Sequence, residues 1–274
     1  MAPISTGQSL QEWTGEANRS RKQKITDFYD IESEPIVNFE AFYGQKKNLV
    51  EICLITFSKE IYENILSKYE CKQIAELIIC NGSVPIWSFV RNGKEIAFYL
   101  SHLGSALAGE MTAEVNHLTG ATKFIMFGSC GSLDNSATNG KYIIPSQAYR
   151  GEGMSYYFAE PNDYIKIKNA DRLESIFTEL NLPFVKGKIW TTDCPLRETV
   201  NLVNKRKNEG CIAVEMEVAG VQAVCDFYGF ELYDFLSAGD VLAEGNYQVE
   251  NLADANHNLD KFQIALQITE KIRG

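Results

Sequence analysis

Two carboxylates in one apolar run are the first sign of chemistry in this sequence. Glu215 and Glu217 stand on either side of Met216, within the segment Cys211–Val221. Carboxylates are rarely buried unless they are paired or functional, because the charged form loses its hydration. A structural ion pair or a solvated rim would explain them. A pocket in which a carboxylate accepts hydrogen bonds from substrate hydroxyls would explain them equally well.

Three other segments contain residue types suited to a binding site, and each has a plain structural alternative. Gly128-Ser129-Cys130-Gly131 is either a tight turn or a backbone cradle for an anion. Ser237-Ala238-Gly239-Asp240 is either a helix cap or an acid that protonates a leaving group. The loop Arg150–Phe158 ends in three aromatic residues, which either pack on the core or stack on a planar base.

The composition argues against several classes of function. The chain has 274 residues and a net charge of −10, with one short basic cluster at Lys205-Arg206-Lys207, which argues against nucleic acid as the main partner. The three histidines are far apart and predict no metal site. The seven cysteines contain no Cys-x-x-Cys pair, so we expect free thiols in a reducing compartment. No signal pattern or membrane-spanning run is present, and we expect a soluble cytoplasmic protein.

Strands and helices alternate along most of the chain. The apolar strands and amphipathic helices predict an α/β fold, a single-domain three-layer α/β/α sandwich with a central mixed, mostly parallel sheet. We expect residues 1–47 to form a partly ordered N-terminal arm and residues 48–274 to form the domain. Arg91-Asn92-Gly93 predicts a hairpin between two strands. In such sheets ligands bind at the carboxyl ends of strands, where the four segments above are found.

The order of these segments resembles the nucleoside phosphorylase/nucleosidase family, which includes the purine nucleoside and uridine phosphorylases. The likeness covers about residues 48–272. It is strongest in five segments, namely FGSCGSLD (127–134), YRGEGMSYYF (149–158), GKIWTTDCPLRET (187–199), AVEMEVAG (213–220) and SAGDVL (237–242). The third of these looks like a uridine-phosphorylase-like branch.

The resemblance implies catalytic roles for two acids. Glu217 would hold the ribose hydroxyls, since an ionised carboxylate can accept from both members of a cis-diol. Met216 would pack on the sugar. Asp240 would hydrogen-bond or protonate a purine leaving group, which relieves the charge that develops on the base.

The resemblance also implies two groups of binding residues. The residues expected around the base are Phe158, Glu215, Arg150 and Gly239. The residues expected around phosphate are Gly128, Ser129 and Gly104. No metal and no cofactor is implied, and inorganic phosphate would be a co-substrate.

Two departures affect the phosphate side of this expected site. Many phosphorylases of the family have an arginine where this chain has Met126, and a Gly-Asp-x-x-Arg loop where it has Thr56–Glu60. A bidentate guanidinium is hard to replace by the point charge of a lysine. Lys59, Arg150 and Arg197 are the possible substitutes.

The leading hypothesis from the sequence is a nucleoside phosphorylase. It would convert a purine or uridine-type nucleoside and phosphate reversibly to the free base and pentose 1-phosphate. The alternatives are a hydrolytic nucleosidase of the same fold and a catalytically inactive nucleoside-binding or storage protein. Family members are dimers or hexamers, so a homo-oligomer is expected, with no nucleic acid or membrane partner.

Overall fold

The computed structural model describes residues 30–243 and 246–272, and one mixed sheet runs through this part of the chain. The strands are β1 (Ile52–Thr56), β2 (Lys72–Ile79), β3 (Gly82–Arg91), β4 (Lys94–Leu100), β5 (Lys123–Ser132), β6 (Tyr142–Gly151), β7 (Tyr164–Lys166), β8 (Phe184–Thr192), β9 (Cys211–Glu215), β10 (Glu231–Ala243) and β11 (Asn246–Gln248). The helices are α1 (Phe39–Tyr43), α2 (Lys59–Lys68), α3 (Ser105–Thr119), α4 (Asn135–Thr138), α5 (Ala170–Glu179), α6 (Val200–Asn208), α7 (Val218–Tyr228), α8 (Leu252–His257) and α9 (Asp260–Lys271). The predicted α/β class and mixed sheet are confirmed.

The strand order is β11-β10-β6-β8-β9-β5-β1-β4-β3-β2, with β7 beside β6. Parallel pairs join β4, β1, β5 and β10 in one group and β6, β8 and β9 in another. The antiparallel strands β2, β3 and β4 form one edge. Because β10 pairs with both β5 and β6, the strands β5, β9, β8, β6 and β10 close into a ring, which the sequence pattern did not predict.

The helices cover the sheet in packed pairs. Helix α3 packs on α7, α5 on α9, and α2 on α8. Every residue of β1 is buried, as expected for a central strand that is covered on both faces. The core includes fully buried aromatic residues that come from neighbouring strands and helices, namely Phe89, Phe98, Tyr99, Phe124, Phe127, Phe177, Phe235 and Phe262.

The glycine-serine segment after Phe127 is a strand rather than the tight turn that was one of its two interpretations. Strand β5 continues through it to Ser132 and pairs with β10 and β9. A Cβ atom on Gly131 would lie 2.5 Å from Leu242 Cδ1, which is far closer than carbon atoms approach without repulsion. Glycine at this position therefore allows β10 to lie against β5 and the ring to close.

Strand β10 also runs further than its apolar pattern predicts, and it contains a bulge. Ala238 pairs with Cys130 and Asp240 with Gly131, so Gly239 has no partner in the ladder. One extra residue reverses the alternation of side chains beyond it. Asp234 and Asp240 therefore face opposite sides of the sheet although they are an even number of residues apart. The helix-cap interpretation of this segment is wrong, because β10 continues through it.

Other elements differ from their predicted bounds. The charged helix expected over Glu198–Lys207 begins at Val200, after a 3₁₀ turn at Pro195–Arg197, so Glu198 lies in irregular backbone. The closing helix is interrupted between α8 and α9. The predicted hairpin is confirmed, since Asn92 and Gly93 have φ values of 50° and 75°, as a type I′ turn requires.

The N-terminal arm is described only in part. Helix α1 lies against α3, where the Tyr43 hydroxyl donates to Glu114 Oε1 at 2.9 Å. His117 Nε2 lies 2.7 Å from the carbonyl oxygen of Gly44, which gives a second contact between the arm and α3. Residues 1–29, which make up most of the predicted arm, lie outside the described residues.

Candidate active site

The junction between β9 and α7 is built around Glu215. Its Oε2 accepts from the backbone N–H of Glu217 at 2.6 Å and of Val218 at 2.8 Å, and its Oε1 accepts from the Thr191 hydroxyl. These bonds satisfy backbone donors that a helix start leaves unpaired. Glu215 is therefore the side chain that caps α7 and fixes the two residues between strand and helix.

Glu217 lies at this junction with one carboxylate oxygen already bonded. Its Oε1 accepts from the backbone N–H of Gly104 at 2.7 Å. Gly104 has a φ of 93°, a conformation that favours glycine, and this conformation sets the direction of the N–H. A carboxylate has about four lone-pair sites, so Glu217 retains capacity for two substrate hydroxyls. The N–H of Gly104, which was expected near phosphate, is used by Glu217.

Both acids at the junction are buried, with Glu215 5% and Glu217 8% exposed. Burial raises the pKa of Glu217, and burial together with the charge of Glu217 raises the pKa of Glu215. Because two neighbouring negative charges repel each other, ionisation of one of these carboxyl groups disfavours ionisation of the other. The pair therefore holds at least part of a proton at neutral pH.

Two cavities meet at Glu217. The larger has a volume of about 550 Å³, within the range of small-molecule sites, and Met216, Glu198 and Asp240 line it. The smaller has a volume of about 180 Å³ and extends toward the carboxyl end of β1. Five residues line both cavities, namely Leu103, Ser129, Glu215, Glu217 and Asn256. The two cavities are therefore continuous at Glu217.

A second pair of acids lies in the larger cavity. Burial raises the pKa of Asp240, to which the Tyr247 hydroxyl donates. Burial and the negative charge of Asp240 raise the pKa of Glu198 to about 7. Glu198 was missed as a site residue because its segment was interpreted as a capped helix start. The acid that directly follows Arg197 was the only available signal.

Asp234 lies on the wall of the smaller cavity and was also missed. It is 0% exposed, and neither of its carboxylate oxygens has a hydrogen-bond partner among the described residues. Burial and the charges of Glu215 and Glu217 raise its pKa well above the ordinary value. It pairs in register with Met126 on β5. The available signal was an acid inside an otherwise apolar strand.

The basic side chains near the smaller cavity already have partners. The Lys261 ammonium donates to the carbonyl oxygen of Gly128 at 3.0 Å and to that of Ala255, and burial lowers its pKa to about 8. His257 Nδ1 lies 2.8 Å from Ser58 Oγ. Lys59, one suggested substitute for the missing arginines, pairs with Glu63 on an exposed helix face.

Two of the three phosphate-side residues expected from the sequence line these cavities, and Gly104 does not. Gly128 lines the smaller cavity, and Ser129 lines both. The Ser129 hydroxyl donates to Asn256 Oδ1. Arg197, the last suggested substitute for an arginine, is exposed and lines neither cavity.

Arg150 lies outside both cavities. Its guanidinium donates to Ser155 Oγ at 2.7 Å and to the carbonyl oxygens of Glu160 and Ala159 at 2.6 and 3.1 Å. Its Cζ also lies 4.0 Å from the ring centroid of Tyr156. Arg150 therefore organises its own loop and lines neither cavity.

Phe158 and Gly239 are also placed away from the larger cavity. Phe158 packs on Phe227 and Tyr228 at the end of α7, about 16 Å along the helix from its start. A Cβ atom on Gly239 would lie 2.9 Å from Ala255 Cβ, so this glycine allows α8 to pack on β10. Neither residue contacts the expected base position in this structure.

Metal sites, membrane-spanning helices and disulfides are three further features to consider in the described residues. Within residues 30–243 and 246–272, no three or more His, Cys, Asp or Glu side chains are placed to hold a metal ion. In the same ranges, no helix combines the length and apolar character needed to cross a bilayer. All seven cysteines are free thiols.

The fold is similar to that of solved nucleosidases. A 5′-methylthioadenosine/S-adenosylhomocysteine nucleosidase from Helicobacter pylori matches with a TM-score of 0.67 and 16% sequence identity, covering 82% of this chain and 100% of that one. A futalosine hydrolase from Helicobacter pylori matches with a TM-score of 0.66 and 16% identity, covering 82% of this chain and 99% of that one. At these identities the likeness concerns the fold alone.

Sequence comparison finds relatives that are named phosphorylases rather than nucleosidases. Purine nucleoside phosphorylases of the DeoD type from Bacillus cereus and Bacillus thuringiensis are each 24% identical to this chain over 220 residues, covering 76% of it and 93% of the relative. The model of the phosphorylase superfamily matches residues 51–270, most of the chain. The chain therefore belongs to the phosphorylase superfamily, as an enzyme of its nucleoside phosphorylase and nucleosidase group.

Proposed function

We propose that the protein hydrolyses the N-glycosidic bond of a purine nucleoside, releasing the free base and the pentose. Membership of the nucleoside phosphorylase and nucleosidase group supports cleavage of an N-glycosidic bond. The residues around the two cavities support the substrate class and the acceptor. This function departs from the leading sequence hypothesis in two respects, since water replaces phosphate and the substrate is narrowed to purine nucleosides.

The larger cavity supports a nucleoside as substrate. Glu217 retains acceptor capacity for the ribose hydroxyls, and Met216 offers an apolar surface beside them. Asp240, whose pKa is raised by burial, would donate a proton to a ring nitrogen of the leaving base. A purine has such a nitrogen in its five-membered ring, which favours purines over pyrimidines.

The presence of Asp234 in the lining of the smaller cavity is the single observation that favours water over phosphate. The smaller cavity is lined by three carboxylates, and none of the described residues that line it is an arginine or lysine. A phosphate dianion there would be repelled by every ionised carboxylate and would find no guanidinium to pair with. Where related phosphorylases have an arginine, this chain has Met126 with Asp234 beside it.

Phosphorolysis is the second candidate. The name of the Bacillus relatives supports it, as does the position of Gly128 and Ser129 in the smaller cavity. In that reaction phosphate would attack the anomeric carbon, and the products would be the base and pentose 1-phosphate.

One assay separates the candidates. Base release from a panel of purine and pyrimidine nucleosides is followed with purified protein in a phosphate-free buffer, and again with added phosphate. Hydrolysis predicts the same rate in both and free pentose as the product.

A rate that depends on phosphate, with pentose 1-phosphate as product, would replace hydrolysis by phosphorolysis. Binding of nucleosides without cleavage in either buffer would leave the nucleoside-binding or storage protein.

A further inference from the structure

We propose that Tyr247 forms a wall of the base site, with its ring stacked on the planar base and its hydroxyl holding Asp240 in position. This inference rests on the proposed cleavage of a nucleoside, and it is the same whether water or phosphate is the acceptor. It assigns the stacking contact to β11, whereas the sequence assigned it to Phe158 in the loop after β6.

Tyr247 is the only aromatic residue among the described residues that line the larger cavity. Phe158, the aromatic residue expected beside the base, packs on Phe227 and Tyr228 instead. A base in the larger cavity therefore has one ring among these lining residues with which it can stack.

The hairpin of β10 and β11 explains why the Tyr247 side chain lies in this cavity. Tyr247 is directly opposite Leu242 in the antiparallel ladder, so the two side chains are on one face. Asp240 is two residues before Leu242 on the same strand, beyond the bulge, and shares that face. All three residues line the larger cavity. The register of β11 therefore fixes an aromatic ring beside the acid that would act on the base.

The hydroxyl of Tyr247 is anchored, whereas the rest of the residue is accessible. Diagonal neighbours in such a ladder are about 7–8 Å apart, within reach of a long aromatic side chain. Asp240 is the diagonal neighbour of Tyr247, and its carboxyl group accepts from the Tyr247 hydroxyl. Tyr247 is nevertheless 61% exposed. A ring that is fixed at its hydroxyl and still accessible is suited to stacking, because little conformational freedom is lost when the base binds.

Stacking on this ring would contribute to the choice of base. Loss of a stacked aromatic side chain typically weakens the binding of a base about 10-fold or more. A purine presents two fused rings to such a surface and a pyrimidine presents one, so the same contact is larger for a purine. The ring therefore favours purines independently of the proton that Asp240 would donate.

The hydroxyl of Tyr247 would act on the leaving group through Asp240. When Asp240 protonates the base it becomes a carboxylate, and a hydrogen bond to a charged acceptor is stronger than one to a neutral carboxyl group. The bond from Tyr247 therefore stabilises Asp240 more after the proton has left than before. Tyr247 is a positioning residue in this step, while Asp240 is the residue that touches the base.

The loop Arg150–Phe158 is the competing source of a stacking residue. Tyr157 in that loop is 55% exposed, but it lines neither cavity. Its exposure is close to that of Tyr247, so a substitution there shows what the loss of an exposed tyrosine does without a contact to the base. Tyr157 therefore supplies the matched control.

The test compares Tyr247→Phe, Tyr247→Leu and Tyr247→Thr with Tyr157→Leu in the full-length protein. Tyr247→Phe keeps the ring and removes the hydroxyl. The leucine and threonine variants both remove the ring, and threonine keeps a strand-forming residue in β11 if leucine disturbs the fold. Cleavage is measured with a purine nucleoside and with a 4-nitrophenyl riboside, whose leaving group needs no proton. Binding of the free purine base is measured by calorimetry.

We expect the ring and the hydroxyl to have separate effects. Tyr247→Phe should keep the wild-type KM and lose about 5- to 10-fold in kcat with the purine nucleoside, while its kcat with the 4-nitrophenyl riboside stays at the wild-type value. Tyr247→Leu and Tyr247→Thr should in addition raise KM and the Kd of the free base about 10-fold or more. Tyr157→Leu should match wild type in all three measurements.

Two outcomes would overturn the assignment. Wild-type affinity for the free base in both variants that lack the ring would exclude stacking on Tyr247. An equal loss of kcat by Tyr247→Phe on both substrates, or no loss on either, would exclude action through Asp240. A wild-type protein that cleaves no nucleoside in either buffer would instead remove the proposed function, which is seen before any variant is compared.

Discussion

Four carboxylates line the larger cavity, and each has a different set of partners. Glu215 is bonded to backbone N–H groups, Glu217 to Gly104, and Asp240 to Tyr247, while Glu198 interacts with Asp240 through its charge. The partners decide what each acid can still do. A saturated carboxylate positions the chain, whereas one with free capacity or a retained proton can act on a substrate.

At Glu217 we expect a large loss of transition-state stabilisation on removal of the carboxylate. Glu217→Ala should lower kcat/KM about 100-fold or more, because hydrogen bonds to a charged group contribute about 1.5–3 kcal/mol each. The measurement is repeated with a nucleoside that lacks the 2′ and 3′ hydroxyls. Wild type should discriminate strongly against this substrate and the variant weakly. Equal discrimination by both proteins would refute the contact with the diol.

At Asp240 the expected effect depends on the leaving group. Asp240→Asn should slow purine release about 100-fold, the usual scale of general acid catalysis, and should spare a 4-nitrophenyl riboside, whose leaving group needs no proton. Because Asp240 must hold its proton, the wild-type rate with purine nucleosides should fall as pH rises through its raised pKa. A pH–rate profile on both substrates measures this. An equal loss on both would argue against proton donation.

At the scale of elements, the sequence pattern predicted the helices, strands and hairpin whose formation depends on neighbouring residues. The patterns of apolar residues predict a strand over Phe184–Thr192 and helices over Ser105–Leu118 and Asn169–Leu180, and β8, α3 and α5 match these bounds to within one residue at each end. Asn92-Gly93 predicted the hairpin, because each of these signals lies within the element itself. Ring closure was not predictable, since it depends on β10 pairing with strands on both sides. The segment at Gly128–Gly131 looked like a turn because glycine also permits a close strand contact, and sequence alone does not separate the two uses.

The site was predicted to a similar extent. Ser129, Glu215, Met216, Glu217 and Asp240 were predicted and do line the larger cavity together, because their segments lie in or just after the carboxyl-terminal parts of strands. Asp234 and Glu198 were missed because their role depends on what lies across the fold from them. Arg150 and Phe158 had suitable chemistry, but Arg150 bonds within its own loop and Phe158 packs on the end of α7.

Ring closure makes a prediction about two glycines of one strand. Gly131→Ala should lower the free energy of unfolding by about 1–3 kcal/mol, since its Cβ atom would meet Leu242 Cδ1 at 2.5 Å. Gly128→Ala is the matched control, because its nearest neighbour, Phe57 Cδ2, would lie at an ordinary 3.5 Å. Thermal or urea unfolding of the two variants measures the difference. Equal stability would mean that the ring tolerates the extra methyl group.

For the whole molecule, the buried acids link stability to pH. The folded-state pKa of Asp234 and of Glu198 lies above the ordinary carboxyl value of about 4. Stability from such groups is fully present below that ordinary value and is lost as pH rises through the folded-state pKa, which is about 7 for Glu198. The protein should therefore unfold more readily at pH 8 than at pH 5.5.

Asp234→Asn should reduce this dependence. Asparagine carries no charge, and the aspartate it replaces makes no hydrogen bond in the described structure that would be lost. The melting temperature of the variant should exceed that of wild type at pH 8, with a smaller difference at pH 5.5. Thermal scans at both values test this, with Asp171→Ala, which removes an exposed aspartate, as control. A variant less stable than wild type at pH 8 would show that the folded protein stabilises the charge of the Asp234 carboxylate.

The oligomeric state stays a prediction. Leu103, at the edge of both cavities, is 64% exposed, and Leu196, beside the larger one, is 94% exposed. Exposed apolar residues at a cavity mouth are suited to contact with a second copy. We expect a dimer or hexamer by light scattering coupled to size exclusion, and a monomer that remains fully active would refute this expectation.

The two cavities that meet at Glu217 have a stereochemical consequence. With the base in the larger cavity, a nucleophile from the smaller cavity would approach the anomeric carbon on the face opposite to the base. A β-nucleoside would then give the α-anomer of the free pentose as the first product, before the sugar equilibrates in solution. Proton NMR during the first minutes of turnover would distinguish the two anomers. The bulge at Gly239, by separating the faces of one strand, would thus determine the handedness of the product.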